Sequence, residues 1–250
     1  MTDALGFRKK FAVIAPSTNT SVQPEFDAMA PRGVTNHFGR ISIPNDPIRN
    51  DDDFNQLMDN IRATMMDTVD RVMTCEPDYL VMGMSSITFS GGVAGADAFQ
   101  GKIEREAGVS VSIGSHSSTA ALKAYGGVKR VAFLSPYYPV ANTEVRRYFT
   151  ESGFEVVRDI CLQCKSWTGI AEVPPEILRD KLTELNGDGR DTDALIQVGT
   201  NLSMVRLAAA AELWLGKPVI AINTATYWHA LRANGIDDKI AGFGRLLEEF

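Results

Sequence analysis

The sequence is poor in the residues that mark a metalloprotein or a disulfide-rich protein. It has three cysteines and three histidines among 250 residues. An odd number of cysteines builds no disulfide framework and is typical of a reducing compartment. The histidines are scattered, whereas a metal site needs several ligands at close spacing. We therefore expect a cytoplasmic protein without a metal site.

Long apolar runs and excess positive charge are also lacking. No run approaches the ~20 apolar residues of a membrane span. The apolar stretch that follows Lys9 and Lys10 is too short for a signal peptide. The net charge of −6 offers no basic face with which to neutralise the phosphates of a nucleic acid. The chain is thus expected to bind neither membrane nor nucleic acid, while a small anion can still bind in a local pocket.

Two of the cysteines, Cys161 and Cys164, form the motif CLQC. A redox C-x-x-C usually opens a helix after a strand, whereas this pair lies in an apparent strand or loop. A packing role is therefore favoured. The alternative is that Cys164 or Lys165 reaches the site as a relocated acid. Cys75 ends a helical pattern and is expected to be buried.

Short β-rich runs alternate with helical patterns along the chain. Each run ends in small or polar residues, and the runs cover 9–17, 78–85, 109–115, 128–137, 193–200 and 217–224. Between the first two runs, apolar residues from Phe54 to Val72 recur at helical spacing. Strands that alternate with helices indicate βαβ units and a mainly parallel sheet. The predicted fold class is α/β.

The strand ends repeat in order along the chain. Three pairs of matching segments have their reference residues 120, 115 and 108 positions apart, namely Pro16 and Pro136, Asp78 and Asp193, and Val111 and Val219. Any two βαβ segments share some likeness, but the constant order favours duplication. We predict two pseudo-symmetric parallel-sheet α/β halves that face each other across a cleft. The first half comprises 1–112 plus 225–250, and the second comprises 113–224.

The predicted strand-end loops are rich in hydroxyl and amide side chains. Ligands of parallel α/β sheets bind outside the carboxyl ends of the strands, so these loops are expected to line the cleft. Neutral donors of this kind bind carboxylates. The alternative for each residue is a helix N-cap. The candidate site residues are Ser17, Asn19, Gly83, Ser85, Ser86, His116, Tyr137, Gly199, Thr200, Asn201 and Asn223.

Four segments together resemble one known family. They are APSTNTSVQPEF, GMSSITFSGG, SPYYPVANTEVRRYF and INTATYWHALRANGI. This set resembles the aspartate/glutamate racemase superfamily, in its maleate isomerase and arylmalonate decarboxylase branch. The resemblance implies an enzyme that needs no cofactor, acts on a small carboxylate and forms a homodimer or larger assembly. The apolar face of the 54–75 helix is a candidate for the subunit contact.

The chain departs from that family at its catalytic cysteines. The first cysteine position holds Gly83, and the second holds Val198 or, with a slip in alignment, Gly199 or Thr200. A racemase or isomerase of the usual kind needs thiols there, for proton transfer or for addition to a double bond. Glycine at the first position matches the decarboxylase pattern.

The resemblance nevertheless implies a cradle for the oxygens of an enediolate. Ser85 and Tyr137 are the implied catalytic donors, assisted by Ser86 and Thr200. Asn19 and Asn223 are the implied ligands of a substrate carboxylate, with Ser17, Gly83, Gly199, Asn201 and His116 as further binding candidates. The favoured function is arylmalonate-decarboxylase-like chemistry through an enediolate-like intermediate. The alternatives are a maleate-type cis–trans isomerase and a non-catalytic relative that binds carboxylates.

Overall fold

The computed structural model describes residues 3–250. They form two four-stranded sheets in which every strand pair is parallel. The first sheet has the order β2-β1-β3-β4 and the second β6-β5-β7-β8. The strands are β1 Lys9–Pro16, β2 Val34–Ile41, β3 Tyr79–Met82, β4 Val111–Ser112, β5 Arg130–Ser135, β6 Glu155–Cys161, β7 Ala194–Gln197 and β8 Val219–Ala221.

Helices connect the strands and cover both sheets. They are α1 Val22–Met29, α2 Asp51–Met73, α3 Ser86–Phe89, α4 Gly92–Ala107, α5 Gly114–Tyr125, α6 Pro139–Glu151, α7 Pro175–Asn186, α8 Val205–Leu215, α9 Ile222–Ala233 and α10 Arg245–Glu249. The strands β1, β3, β5 and β7 are almost wholly buried, because helices pack on both faces of each sheet. Within residues 3–250, no helix has the length and apolar content to cross a membrane.

The predicted fold of two similar α/β halves is confirmed by the identical strand order of the two sheets. The likeness extends to single hydrogen bonds at the start of the strands. Asp78 accepts from the backbone N–H of Lys10, and Asp193 accepts from that of Arg130. Each aspartate lies just before the third strand of its half and ties it to the first. The duplication read from the sequence is thus present in the backbone pairing.

The helix that follows the last strand of each sheet contacts residues that lie around the other sheet. In α9, Tyr227 packs its ring 4.9 Å from that of Phe26 and 6.0 Å from that of Phe11. In α5, Thr119 donates a hydrogen bond to the hydroxyl of Tyr148 in α6. These contacts join the two halves into one core. The domain boundaries at 112 and 224 stay a prediction.

The C-terminal segment 225–250, which the sequence assigns to the first half, is not one continuous helix. Helix α9 ends at Ala233, and the chain continues through Gly235, whose positive φ of 68° suits a helix stop. A second short helix, α10, follows. Its end returns to α9, where the carbonyl of Phe250 accepts from the guanidinium of Arg232.

The apolar face of α2 is used inside the chain. Phe54, Leu57, Met58 and Ile61 are each at most 6% exposed. The sequence pattern predicts a candidate subunit contact at this face, but a face covered by its own chain does not call for a partner. The assembly state stays a prediction that the family resemblance alone supports.

Candidate active site

A cavity of about 40 Å³ lies between the two halves, at the carboxyl ends of four strands. The loops after β1, β3, β5 and β7 supply its polar lining, and α2 and the segment after β6 cover it. The lining residues are Pro16, Thr18, Asn19, Ile43, Leu57, Met58, Ile61, Met84, Ser85, Ser86, Pro136, Tyr137, Trp167, Ile170, Gly199, Thr200 and Asn201. This position is where parallel sheets usually bind ligands.

Strand register shows which residues of the two halves are equivalent. The N–H of Gly83 donates to the carbonyl of Ile14 at 2.7 Å, and that of Val198 donates to Leu134 at 2.8 Å. Gly83 is therefore equivalent to Val198. Two residues further on, Ser85 is equivalent to Thr200, and both line the cavity.

Each of these two hydroxyls pairs with a side chain from the opposite half. Ser85 Oγ and Tyr137 Oη lie 2.7 Å apart and share a hydrogen bond. Asn19 Nδ2 donates to Thr200 Oγ1 at 3.0 Å. In the first pair, one hydroxyl proton binds the partner and the other stays free to be donated. In the second pair, Thr200 accepts and keeps its own proton for donation.

Tyr137 is the titratable side chain among the cavity-lining residues. Burial raises the pKa of Tyr137, while its bonds to Ser85 and Ser86 oppose the rise. The phenol is therefore protonated at neutral pH and acts as a hydrogen-bond donor. Its ring packs 5.7 Å from that of Phe54 in α2, which limits its freedom to move. The backbone of Ser85 is also fixed, because Thr88 Oγ1 donates a hydrogen bond to its carbonyl at 2.7 Å.

The predicted amides Asn19 and Asn201 line the cavity and also join its walls. Asn19 Oδ1 accepts from the N–H groups of Ser21 and Val22, at the start of α1. Asn201 Oδ1 accepts from the N–H of Thr20, which lies in the opposite half. Most of their hydrogen-bonding capacity is thus spent within the protein, which makes the cavity wall rigid.

Four predicted site residues lie outside the cavity lining. Ser17 exchanges hydrogen bonds with the backbone of Ile43, and the N–H of Gly83, just after β3, donates to the carbonyl of Ile14 in β1. His116 faces α4, where it contacts Gln100 and Asp97. Asn223 is 2% exposed and binds the carbonyl of Thr200 from outside the cavity.

The sequence reading missed the apolar wall of the cavity. Leu57, Met58 and Ile61 of α2 form one side, and Trp167 and Ile170 form another. The α2 residues had a signal, since their helical spacing predicted an apolar face. Trp167 had none, because it lies in an irregular segment after β6 without periodicity.

Over residues 14–247 the chain matches the arylmalonate decarboxylase family. The chain belongs to this family. The maleate isomerase of Alcaligenes faecalis is 25% identical to it over 121 residues, which are 48% of this chain and 47% of that protein. The maleate isomerase of Geobacillus stearothermophilus is 27% identical over 123 residues, 48% of each chain. The chain thus spans about half the length of the curated relatives it matches.

Solved structures of both kinds share the fold over nearly the whole chain. A cysteine-to-serine variant of Nocardia farcinica maleate cis–trans isomerase, with a covalently bound succinylcysteine intermediate, has a TM-score of 0.86 at 19% identity, covering 97% of this chain and 99% of that one. A liganded variant of arylmalonate decarboxylase, in which a glycine is changed to cysteine and a cysteine to serine, has a TM-score of 0.81 at 19% identity, covering 96% and 99%. The predicted branch of the superfamily is confirmed.

No thiol lines the cavity of this family member within residues 3–250. Burial raises the pKa of Cys164 to about 11, and it also raises the pKa values of Cys161 and Cys75. Thiols of this kind are protonated at neutral pH and are poor nucleophiles. The structure therefore does not place a relocated cysteine at the site, and Lys165 is likewise absent from the lining.

The residue that reaches the cavity at the end of β7 is Gly199, next to Val198. Its φ is +132°, a conformation that side chains rarely permit. A Cβ there would lie 2.4 Å from Cδ of Pro136. The proline ring thus occupies the space that a side chain at position 199 would need. Within residues 3–250, no cluster of three or more acidic, histidine or cysteine side chains suits a metal ion.

Proposed function

We propose that this protein is a cofactor-independent enzyme that decarboxylates a small malonate-type acid with an apolar substituent. The observation that carries the proposal is the Ser85–Tyr137 hydroxyl pair at one side of a largely apolar cavity. Membership of the arylmalonate decarboxylase family supports the reaction type. A Pseudomonas putida S16 relative, 21% identical, was solved with maleate, which supports a small carboxylate as the ligand.

The chemistry follows from the placement of donors and apolar groups. One carboxylate of the substrate accepts hydrogen bonds from the Ser85–Tyr137 pair and from Thr200. The bond to the other carboxylate breaks, CO₂ leaves, and the electron pair moves onto the first carboxylate to form an enediolate. Neutral donors that are already oriented stabilise this developing charge strongly. The leaving carboxylate lies against the apolar wall, where an unpaired charge is costly and its loss as CO₂ is favoured.

The enediolate carbon then needs a proton. Tyr137 is the titratable group that touches the cavity, so we assign the donation to its hydroxyl, with Ser85 stabilising the phenolate that forms. Solvent returns the proton to Tyr137 after the product leaves. A side chain on one face of the substrate delivers the proton from that face, so a prochiral disubstituted malonate should give one enantiomer in excess.

The cavity also indicates how the substrate gains access. Two of its lining side chains also line a neighbouring cavity. Leu57 and Trp167 separate it from an outer cavity of about 330 Å³ lined by Arg49, Gln56 and Asn60, among others. We propose that the substrate passes this pair and that its substituent keeps the two side chains apart.

A non-catalytic carboxylate-binding role is the second candidate. The observation that favours it is the lack of any thiol in the cavity lining, combined with the occupation of the Gly199 side-chain space by Pro136. A maleate-type isomerase is less well supported, since addition to a double bond needs a nucleophile. None of the lining side chains provides an activated one.

The test is incubation of the purified protein with phenylmalonate, 2-methyl-2-phenylmalonate and maleate, followed by NMR. Release of CO₂ with formation of the monocarboxylate supports the decarboxylase. An excess of one 2-phenylpropionate enantiomer, measured by chiral chromatography, supports a proton donor fixed on one face of the substrate, and a racemic product contradicts it. Fumarate from maleate would establish the isomerase instead. Saturable binding of phenylmalonate without turnover would establish the binding role.

A further inference from the structure

Glu25 of α1 lies in the first half but directs its carboxylate at the second. Its Oε2 accepts from Asn223 Nδ2 at 2.6 Å, and its Oε1 accepts from Ser203 Oγ at 3.0 Å. The N–H of Val205 also points to Oε1, at 3.4 Å. Val205 is the first residue of α8, so the carboxylate also lies where the helix dipole favours negative charge.

Asn223 connects Glu25 to the candidate active site. The same Nδ2 that binds Glu25 donates its second proton to the carbonyl of Thr200 at 2.9 Å. Thr200 Oγ1 in turn accepts a hydrogen bond from Asn19 Nδ2. Asn223 is 2% exposed, so water does not replace a lost partner easily. Both amide protons of Asn223 therefore have acceptors, the carboxylate of Glu25 and the carbonyl of Thr200.

We infer that Glu25 is a positioning residue, which orients Asn223 and thereby fixes the Thr200 hydroxyl in the cavity. A carboxylate is well suited to the task, because it accepts on both oxygens and makes strong hydrogen bonds to neutral donors. Burial raises the pKa of Glu25, while the bonds from Asn223 and Ser203 favour its charged form. Without that acceptor, the amide of Asn223 is free to rotate and to release the Thr200 carbonyl.

The other half contains a natural control for this inference. Glu144 of α6 accepts from the N–H of Gly91 at 2.6 Å, at the start of α4. Glu25 and Glu144 thus make the same kind of contact, each from one half to a helix N-terminus of the other. Among residues 3–250, Glu144 has no hydrogen bond that leads on to Ser85 or Tyr137. A change at Glu144 should therefore affect stability without affecting the cavity.

The experiment compares Glu25→Ala, Glu25→Gln, Asn223→Ala and Glu144→Ala with the wild type. The first readout needs no activity: the ¹H–¹⁵N NMR signals of the Thr200 backbone amide and the Asn223 side-chain amide. Glu25→Ala should shift the Thr200 signal, and Asn223→Ala should shift it in the same way. Glu25→Gln keeps an acceptor for Asn223 and should restore most of the wild-type position. Glu144→Ala should leave these signals unchanged.

The second readout rests on the proposed function, and measures the affinity for phenylmalonate by intrinsic tryptophan fluorescence, to which Trp167 in the cavity wall contributes. Glu25→Ala should weaken binding on the order of tenfold, the usual effect of losing one hydrogen bond to a charged group. In a Thr200→Val background the same change should add little, since the hydroxyl it positions is gone. Glu144→Ala should lower the free energy of unfolding about as much as Glu25→Ala does. It should nevertheless bind phenylmalonate as tightly as the wild type.

The outcomes separate this inference from the proposed function. If wild-type protein neither binds nor converts phenylmalonate, the proposed substrate class is wrong, and the NMR comparison alone decides about Glu25. If the Thr200 and Asn223 signals of Glu25→Ala match the wild type, the positioning role is wrong. Equal shifts in Glu25→Ala and Glu144→Ala would also overturn it, because the effect would then be a general loss of stability.

Discussion

The two halves of the chain share one strand topology but contribute different side chains to the candidate site. Both sheets place their third strand so that a hydroxyl, Ser85 or Thr200, reaches the cavity and meets a side chain from the opposite half. Ser85 meets a phenol and Thr200 meets an amide. Only the phenol of Tyr137 can take and give a proton. Under the proposed mechanism, the duplicated scaffold would therefore supply two places for a carboxylate oxygen but one place for proton transfer.

The supports behind the two hydroxyls differ as well. The carbonyl of Ser85 accepts from Thr88, a residue of the short helix α3 that follows it. The carbonyl of Thr200 accepts from Asn223, which depends on Glu25 across the boundary between the halves. The first half is thus supported locally, whereas the second depends on how the halves pack. Changes that loosen the packing should disturb Thr200 before Ser85.

The largest effect is expected from Tyr137→Phe and Ser85→Ala. Removing a donor aimed at developing charge costs ~2.7–4 kcal/mol, so turnover should fall on the order of a hundredfold or more. Thr200→Val, in the other half, should lower turnover less, because it removes one donor to the enediolate and leaves the Ser85–Tyr137 pair intact. The rate of CO₂ release from phenylmalonate measures all three. A greater loss in Thr200→Val than in Tyr137→Phe would reverse the roles assigned to the two halves.

Gly199→Ala should destabilise the fold by more than about 2 kcal/mol. The reasons are its φ of +132° and the approach of the added Cβ to within 2.4 Å of Pro136. Gly153→Ala is the control, since its φ is also positive, at +91°, but nothing lies within 4 Å of the added Cβ. It should cost about 1 kcal/mol. Urea unfolding measures both, and equal losses would show that Pro136 does not restrict position 199.

The free energy of unfolding should depend on pH through two histidines of the equivalent helices α5 and α9, which pack against each other. Burial lowers the pKa values of His116 and His229, and the proximity of His116 adds to the effect on His229. Asp97 and Glu104 oppose the shift at His116. Both folded-state pKa values lie below the ordinary 6.5, so the unfolded chain takes up protons first as the pH falls.

The free energy of unfolding contributed by these histidines should therefore be complete above about pH 6.5 and decline below it. His229→Gln removes one titrating group, so its unfolding free energy should decline less than that of the wild type between pH 7.5 and 5.5. Urea titrations at several pH values test the point. Parallel curves for the two proteins would show that His229 is not perturbed.

The smallest effect is expected from Cys164→Ala and Cys161→Ala. Neither thiol lines the cavity, and burial raises the pKa values of both. Turnover of phenylmalonate should stay within about twofold of the wild type, because substitutions away from the reacting atoms change little. If Cys164→Ala abolishes activity while Tyr137→Phe retains it, the second half carries a thiol catalyst and the comparison drawn above fails.

The sequence by itself determined the fold class, the duplication and the strand ends that carry polar residues. These features depend on local patterns: apolar runs of strand length, helical spacing, and matching turns in the same order along the chain. Ser85, Ser86, Tyr137, Asn19, Gly199, Thr200 and Asn201 were placed at the cavity because strand-end loops of parallel sheets converge. Their chemical roles stay predictions.

Tertiary structure alone decided which way the side chains near those ends point. Asn223 and Ser17 are of the right type and at the right ends, yet they bind backbone groups beside the cavity, because the direction of a side chain after a strand depends on the turn that follows. The helical pattern of α2 showed that one face is apolar but not what covers it. In the structure, part of that face lines the cavity. Trp167 reaches the wall from a segment without periodicity. Such long-range placements follow from the packing of the two halves, and no local pattern in the sequence encodes them.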